Sequence, residues 1–306
     1  MPDARQIGTL PPLATPLAFG TAPLATQFWE NDEATAVDAA VAGIEAGITW
    51  FDTAPLYGSG EAEERLGAAL RRCGSPTDVV IATKVGRPVV DGPGGRTSTF
   101  DYSREATLAS LEASLRRLGR DRVDVVHVHD PDDHMDQALD HCIPTLLQLR
   151  DQGVIRAVSV GTIVCSTALR VLAEANPDLI MIANRLTLLD HSALDELVPA
   201  CTQRGVPLVA AAVFNSGLLA AQHPGVWFDY APASAELIER ARAIADICAA
   251  HDVPLRAAAL QFPLRYAPVI AVVAGMATAA QAADNIQLIS HPVPAALWDE
   301  LDAQSM

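Results

Sequence analysis

The chain has 306 residues, half of them apolar, with 37 acids against 21 bases and a net charge of −16. That length buries a large core as one barrel or as two ordinary domains, and so acidic a balance argues against a nucleic-acid partner or an anionic membrane surface. Cys73, Cys142, Cys165, Cys201 and Cys248 are scattered and form no C-x-x-C pair, against a disulfide framework or a zinc site; no signal peptide opens the chain and no long apolar run follows, so a cytoplasmic protein without a membrane span is expected.

From the N-terminus, strand-like apolar runs alternate with helical patterns through eight rounds. The predicted strands lie near 16–20, 48–52, 79–84, 123–128, 154–160, 179–183, 206–211 and 269–274. The predicted helices lie near 33–46, 60–72, 103–118, 136–151, 166–175, 192–204, 235–250 and 278–289. Strands apolar on both faces alternating with amphipathic helices require a parallel sheet covered by helices, and eight such units close an α/β barrel of the (β/α)8 TIM type. Two further helices are expected, Leu255 to Leu264 before the eighth strand and Pro294 to Asp302 at the C-terminus. Long loops follow the third strand (Gly86 to Phe100) and the seventh (Phe214 to Ala233), a length typical of lids and binding loops. No composition shift marks a linker, so residues 1–306 read as a single domain.

The active site of such a barrel is built at the carboxyl ends of its strands. Those ends present Thr21, then Asp52 with Tyr57, then Lys84, then His129. Lys84 is the single lysine among 21 basic residues, and an ammonium, unlike a guanidinium, is compact enough to be buried beside an acid or a phenol. A phenol ordinarily titrates near ~10; an adjacent ammonium favours its phenolate, a carboxylate keeps the ammonium charged, and an imidazole orients the reacting oxygen. Such a set suits moving a proton together with a hydride. His127 and His129 are two apart on one strand and point the same way, His127 lying deeper. A metal reading of His127, His129, Asp130, Asp132, Asp133 and His134 finds no matching ligands at later strand ends, so no metal is expected.

FDTAPLYG, the lysine after the third strand and VVHVHDPDDH resemble the aldo-keto reductase superfamily. HDPDDHMDQAL, RLTLLDHSALDELVPAC, FNSGLLA and VPLRAAALQFPL resemble its D-threo-aldose 1-dehydrogenase, L-fucose dehydrogenase and pyridoxal 4-dehydrogenase group, over roughly residues 16 to 290. The resemblance implies Tyr57, Lys84, Asp52 and His129 as catalytic residues. It also implies oxidation of a cyclic hemiacetal, an aldose such as L-fucose or pyridoxal, to a lactone. The alternatives are an NADPH-dependent carbonyl reductase and a dinucleotide-binding regulatory subunit with little turnover.

No Rossmann fingerprint occurs, and barrels hold phosphate through the loops after the seventh and eighth strands. The resemblance implies that Asn215, Ser216, Gly217 and Leu218 contact the pyrophosphate, that Asp284 and Asn285 contact the adenosine in a loop starting at Gly275, and that Gly20 and Thr21 face the nicotinamide. Where family members that use NADP offer an arginine this chain has Ala277, and no Lys or Arg follows Arg265, so NAD is expected over NADP. After the fifth strand, Gly161, Thr162, Ile163 and Val164 replace the usual carboxamide ligands, which leaves Asn184 to supply the polar contact. Trp29, Trp227, Phe228 and Tyr230 are the expected apolar wall for a small-molecule substrate. Nothing in the sequence indicates an oligomeric state.

Overall fold

A computed structural model gives the fold and describes residues 7, 10–26, 30–92, 95–221, 225, 227–229 and 231–304. Eight parallel strands form the barrel: β1 Leu17–Gly20, β2 Trp50–Asp52, β3 Val80–Val85, β4 Val125–His129, β5 Ala157–Thr162, β6 Leu179–Ala183, β7 Leu208–Ala211 and β8 Val269–Gly275. They pair in chain order, and β8 closes on β1 with Gly20 opposite Gly275. The helices between them are α1 Glu33–Glu45, α2 Glu61–Arg72, α3 Arg104–Leu118, α4 Ile143–Asp151, α5 Cys165–Glu174, α6 Leu197–Arg204 and α7 Ala235–Ala250. The expected extra helix before the last strand is α8 Leu255–Gln261; α9 Ala279–Leu288 follows β8, and α10 Ala295–Gln304 ends the described chain.

Local chemistry sets these boundaries. The side chains of Asp32, Ser103, Ser234 and Thr278 accept hydrogen bonds from the first-turn amides of α1, α3, α7 and α9, which otherwise have no intrahelical partner. Two predicted helices begin later than their hydrophobic pattern suggests. The pattern over 136–151 resolves into a short turn at Met135–Gln137, a wider coil at Ala138–Cys142 and then α4. Pro144 explains the widening, since it has no amide hydrogen to return to the preceding turn. The pattern over 192–204 becomes a turn at Ser192–Leu194 and then α6, with Pro199 tolerated in the first helical turn. The loop after β3 contains a hairpin of Val89–Gly92 with Gly95–Ser98, and the loop after β7 a smaller one of Trp227–Phe228 with Ala231–Pro232.

The period of two along each strand decides what fills the barrel. Ala18, Trp50, Val80, Ala82, Val125, Ala157, Leu179, Met181, Val209, Ala271 and Val273 pack together inside it, with Ile7 and Leu10 against them. The alternate residues, among them Phe19, Phe51, Ile81, Val126, Val158, Ile180 and Val272, pack outward in the core under the helices. Further along the same faces come Gly20, Asp52, Lys84, Ala183, Ala211 and Gly275, two residues beyond the inward set, and His129 and Gly161, four beyond Val125 and Ala157. The upper layer of the barrel is therefore polar across β2, β3 and β4 and small-sided from β5 round to β1.

Candidate active site

Asp52 closes β2 and Lys84 lies one residue inside β3, both almost fully buried. Lys84 Nζ donates to Asp52 Oδ1 at 2.5 Å and to the Thr53 carbonyl at 2.9 Å. Tyr57 comes off the turn after β2, and Lys84 Nζ sits 4.9 Å from the centre of its ring. The His129 ring meets Tyr57 edge to face, with ring centres 6.2 Å apart at 85°. The four polar residues singled out in the sequence thus lie at one mouth around a shared space.

Burial alone would raise the Asp52 carboxyl; the Lys84 charge and the His127 contact outweigh it and hold Asp52 below the ordinary carboxylate value. Burial likewise works to discharge Lys84, but Asp52 and then Tyr57 keep it protonated above its usual range. Burial lowers His129 well below its usual value, reinforced by the charges of Lys84 and Arg87, so its ring is neutral. A neutral imidazole both donates and accepts. His127, fully buried beneath, places Nε2 3.4 Å from Asp52 Oδ2 and is also lowered, chiefly by burial. The Asp52 carboxylate is therefore faced on one oxygen by an ammonium and on the other by an imidazole.

Asp130, weighed in the sequence only as a metal ligand, frames this group together with Tyr102, Arg87 and Phe100, which the sequence did not single out. The Tyr102 hydroxyl is shared between the carbonyls of His129 (2.6 Å) and Asp130 (2.8 Å), fixing the end of β4. Asp130 has a left-handed backbone, φ 46°, and pairs with Arg87 at 2.8 Å. The Arg87 guanidinium lies 4.8 Å from the centre of the Phe100 ring. A short Asp or Asn directly after a strand is a mild signal for such a turn, but nothing in the sequence names its partner.

On the small-sided half of the mouth, buried polar atoms lack partners among the described residues: Thr21 Oγ1, both amide atoms of Asn184, and Asn215 Oδ1. Asn184 and Asn215 are 1% and 0% exposed and both have positive φ, as do Ala212, Ser216 and Gly217. Buried polar groups ordinarily have a hydrogen-bond partner, so these atoms fit a polar ligand, and the strand ends beside them carry only the small residues Gly161, Ala183, Ala211 and Gly275. Leu218 buries its side chain completely, so only its backbone is available there. Ala277 is buried and its backbone is engaged, accepting from Asn31 and donating to Gln281. Thr162 hydrogen-bonds Asp132 and is turned away. Asp284 and Asn285 on α9 are both held by Arg256, which reaches across from α8 although no basic residue follows in the chain after Arg265. Of the expected substrate wall, Trp227 is half exposed and Phe228 packs partly on the core; Trp29 and Tyr230 lie outside the described residues. Among the described residues no group of three or more His, Cys, Asp or Glu is arranged to hold a metal ion, and no helix is long and apolar enough to cross a membrane.

An eight-stranded parallel barrel with Asp52, Lys84, Tyr57 and His129 gathered at its carboxyl-end mouth has the architecture of a barrel enzyme, with its polar groups at the end where such barrels build their sites. The pattern of the Aldo/keto reductase family matches residues 16–305, and the chain belongs to that family, whose members use nicotinamide dinucleotides. It is 41% identical to D-threo-aldose 1-dehydrogenase of Pseudomonas sp over 94% of each chain. It is 34% identical to pyridoxal 4-dehydrogenase of Microbacterium luteolum over 99% of this chain and 98% of that one. Among solved structures, the holo form of an aldo-keto reductase from Bacillus halodurans superposes with a TM-score of 0.80 at 27% identity, covering 99% of this chain and 96% of that one.

Proposed function

We propose that the protein oxidises a cyclic hemiacetal, an aldose such as L-fucose or else pyridoxal, to a lactone, with NAD as hydride acceptor. The observation that carries the reading is the Lys84 ammonium held charged between Asp52 Oδ1 at 2.5 Å and the Tyr57 ring at 4.9 Å. The similarity to enzymes named for aldose and pyridoxal oxidation supports the substrate class.

Tyr57 takes the proton from the anomeric hydroxyl at its phenolic oxygen, as general base. Lys84 stabilises the phenolate form, because a cation beside a phenol favours its anion. Asp52 keeps Lys84 charged and in place. His129, neutral, hydrogen-bonds the reacting oxygen and fixes its direction. The dinucleotide, when bound, supplies the hydride acceptor. Gly20, Thr21, Asn184, Asn215, Ser216, Gly217, the Leu218 backbone and Gly275 would hold it, with Ala277, Asp284 and Asn285 at its adenosine end. Trp227 and Phe228 would face the substrate.

NAD is favoured because the buried Ala277 offers a 2′-phosphate no cation, and because Arg256 is already engaged by Asp284. An unpaired phosphate forgoes charge-assisted contacts of about 1.5–3 kcal/mol each. The test follows the near-ultraviolet absorbance of the reduced nicotinamide, with NAD and NADP separately, over L-fucose, D-arabinose, L-galactose and pyridoxal, with Tyr57→Phe as control. Reduction of NAD that the Tyr57 change lowers by about 10²–10⁴-fold is expected. Silence on all four substrates, or equal turnover with NADP, overturns the corresponding part of the proposal.

A further inference from the structure

We infer that Arg87 and Asp130 form a clamp for the hydroxyl next to the reacting carbon, so that the substrate is a sugar bearing a free hydroxyl there. The inference rests on the hemiacetal reading above and narrows its substrate class.

Asp130 Oδ2 lies 3.6 Å from His129 Nε2, one hydrogen-bonding position beyond the imidazole assigned to the reacting oxygen. It accepts from Arg87 Nη1 at 2.8 Å, and the two side chains are 31% and 23% exposed, shielded but within reach of a ligand in the mouth. The carboxylate is fixed from several directions. The Asp130 backbone has φ 46°, its amide donates to the Gly161 carbonyl at 2.9 Å, and its carbonyl accepts from Tyr102 at 2.8 Å. A non-glycine residue kept in that region by surrounding contacts is a recurrent feature of ligand sites. Arg87 is fixed as well, by the Phe100 ring at 4.8 Å, and its Nε is buried without a partner among the described residues.

A hydroxyl both donates and accepts. A carboxylate that only accepts, beside a guanidinium that only donates, matches it on both counts. With the anomeric oxygen between Tyr57 and His129, the substituent on the adjacent carbon falls toward Asp130. In pyridoxal that adjacent carbon is a ring carbon with no hydroxyl, so the pair would face nothing complementary. An ion pair kept only for stability at a partly exposed rim contributes little, and it would not require the carboxylate to be held beside His129.

The test compares kcat/KM for the wild type, Asp130→Asn and Arg87→Met on D-arabinose, on 2-deoxy-D-ribose, which is the same sugar without the adjacent hydroxyl, and on pyridoxal. Asn tolerates a left-handed backbone, and circular dichroism with dinucleotide titration checks that the fold and cofactor site persist. In Asp130→Asn the loss on D-arabinose is expected to be about 10- to 100-fold, mainly in KM, and at least tenfold greater than the loss on 2-deoxy-D-ribose or pyridoxal. Arg87→Met should show the same pattern. Equal losses on the sugar and its deoxy analogue overturn the clamp, because Asp130 would then act through His129. A wild type that oxidises pyridoxal but neither sugar overturns the clamp and leaves the hemiacetal reading standing. A wild type that oxidises L-fucose but none of these three is compared on L-fucose and 2-deoxy-L-fucose with the same two outcomes, and one silent on L-fucose and L-galactose as well overturns the hemiacetal reading and the clamp with it.

Discussion

Lys84 Nζ and Asp52 Oδ1 are 2.5 Å apart with side chains only 3% and 4% exposed, so neither charge has water to fall back on. Breaking a buried pair from one side leaves an uncompensated charge and typically costs about 3–5 kcal/mol. Lys84→Met is therefore expected to lower the urea-unfolding free energy by roughly that amount while abolishing turnover. Lys84→Arg is no rescue, because the guanidinium fork is too wide for the gap between Asp52 and the Thr53 carbonyl. An unfolding midpoint that does not move in Lys84→Met would show that the pair is not closed off from solvent.

Stability should fall toward acid earlier than carboxylates alone would dictate. His127 and His129 are held below their ordinary values in the folded chain, chiefly by burial. Below about pH 6.5 the unfolded chain takes up protons that the folded chain refuses, and stability drops as the pH falls through the folded values. Asp52, also lowered, adds a contribution that is complete above the ordinary carboxylate value and lost as the pH falls through its folded value. Asp130 is raised by burial and works in the opposite sense within the carboxylate range. Lys84, raised, loses its contribution only on the alkaline side, above about 10.4. In His127→Leu the slope of unfolding free energy against pH just below 6.5 should be shallower by up to about 1.4 kcal/mol per pH unit. An unchanged slope would mean that His127 titrates normally in the folded protein.

Tyr102 and Gly86 form a second support for the site. Gly86 has φ 96°, and a Cβ built there would lie 2.1 Å from the Tyr102 ring. Gly86→Ala must displace the ring that holds the His129 and Asp130 carbonyls, so a loss in kcat/KM of about 10²-fold is expected for a catalytic group moved by an ångström, along with reduced stability. Tyr102→Phe keeps the ring and removes the hydroxyl, and should cost roughly 1–3 kcal/mol in stability with a smaller loss of rate. The two variants are separated by urea unfolding and by the steady-state rate on one substrate. A larger rate loss for Tyr102→Phe would place the hydroxyl, rather than the packing, in control of His129.

What the sequence made legible follows from periodicity and composition. Trp50 and Asp52, Ala82 and Lys84, Val125 and His127 share strand faces two residues apart, so an apolar barrel interior topped by polar groups was readable before any coordinates. A lone lysine in an arginine-rich chain was readable too. Helix starts were blurred at Pro144 and Pro199, where the hydrophobic pattern runs on but the amide supply does not. The Arg87–Asp130 and Arg256–Asp284 pairs were not readable, because each joins side chains from separate segments. Cys142 and Cys201, whose thiols are pushed up to about 12 by burial, carry no sign of reactivity in either view.

Cofactor selectivity turns on one of those illegible pairs. Arg256 reaches Asp284 at 3.3 Å and Asn285 at 2.5 Å, so its guanidinium lies against the two residues proposed to hold the adenosine. Paired, it is neutralised by an acid that repels phosphate and accepts well from a free 2′-hydroxyl. Asp284→Ala removes the acid and frees the guanidinium. The ratio of kcat/KM with NADP to that with NAD is then expected to rise by about tenfold or more, the worth of one charge-assisted contact. Adding Arg256→Met to that change should return the ratio toward the wild-type value, which assigns the gain to Arg256 rather than to lost repulsion alone. If neither variant moves the ratio, the adenosine does not lie against α9, and the preference for NAD must be set elsewhere in the mouth.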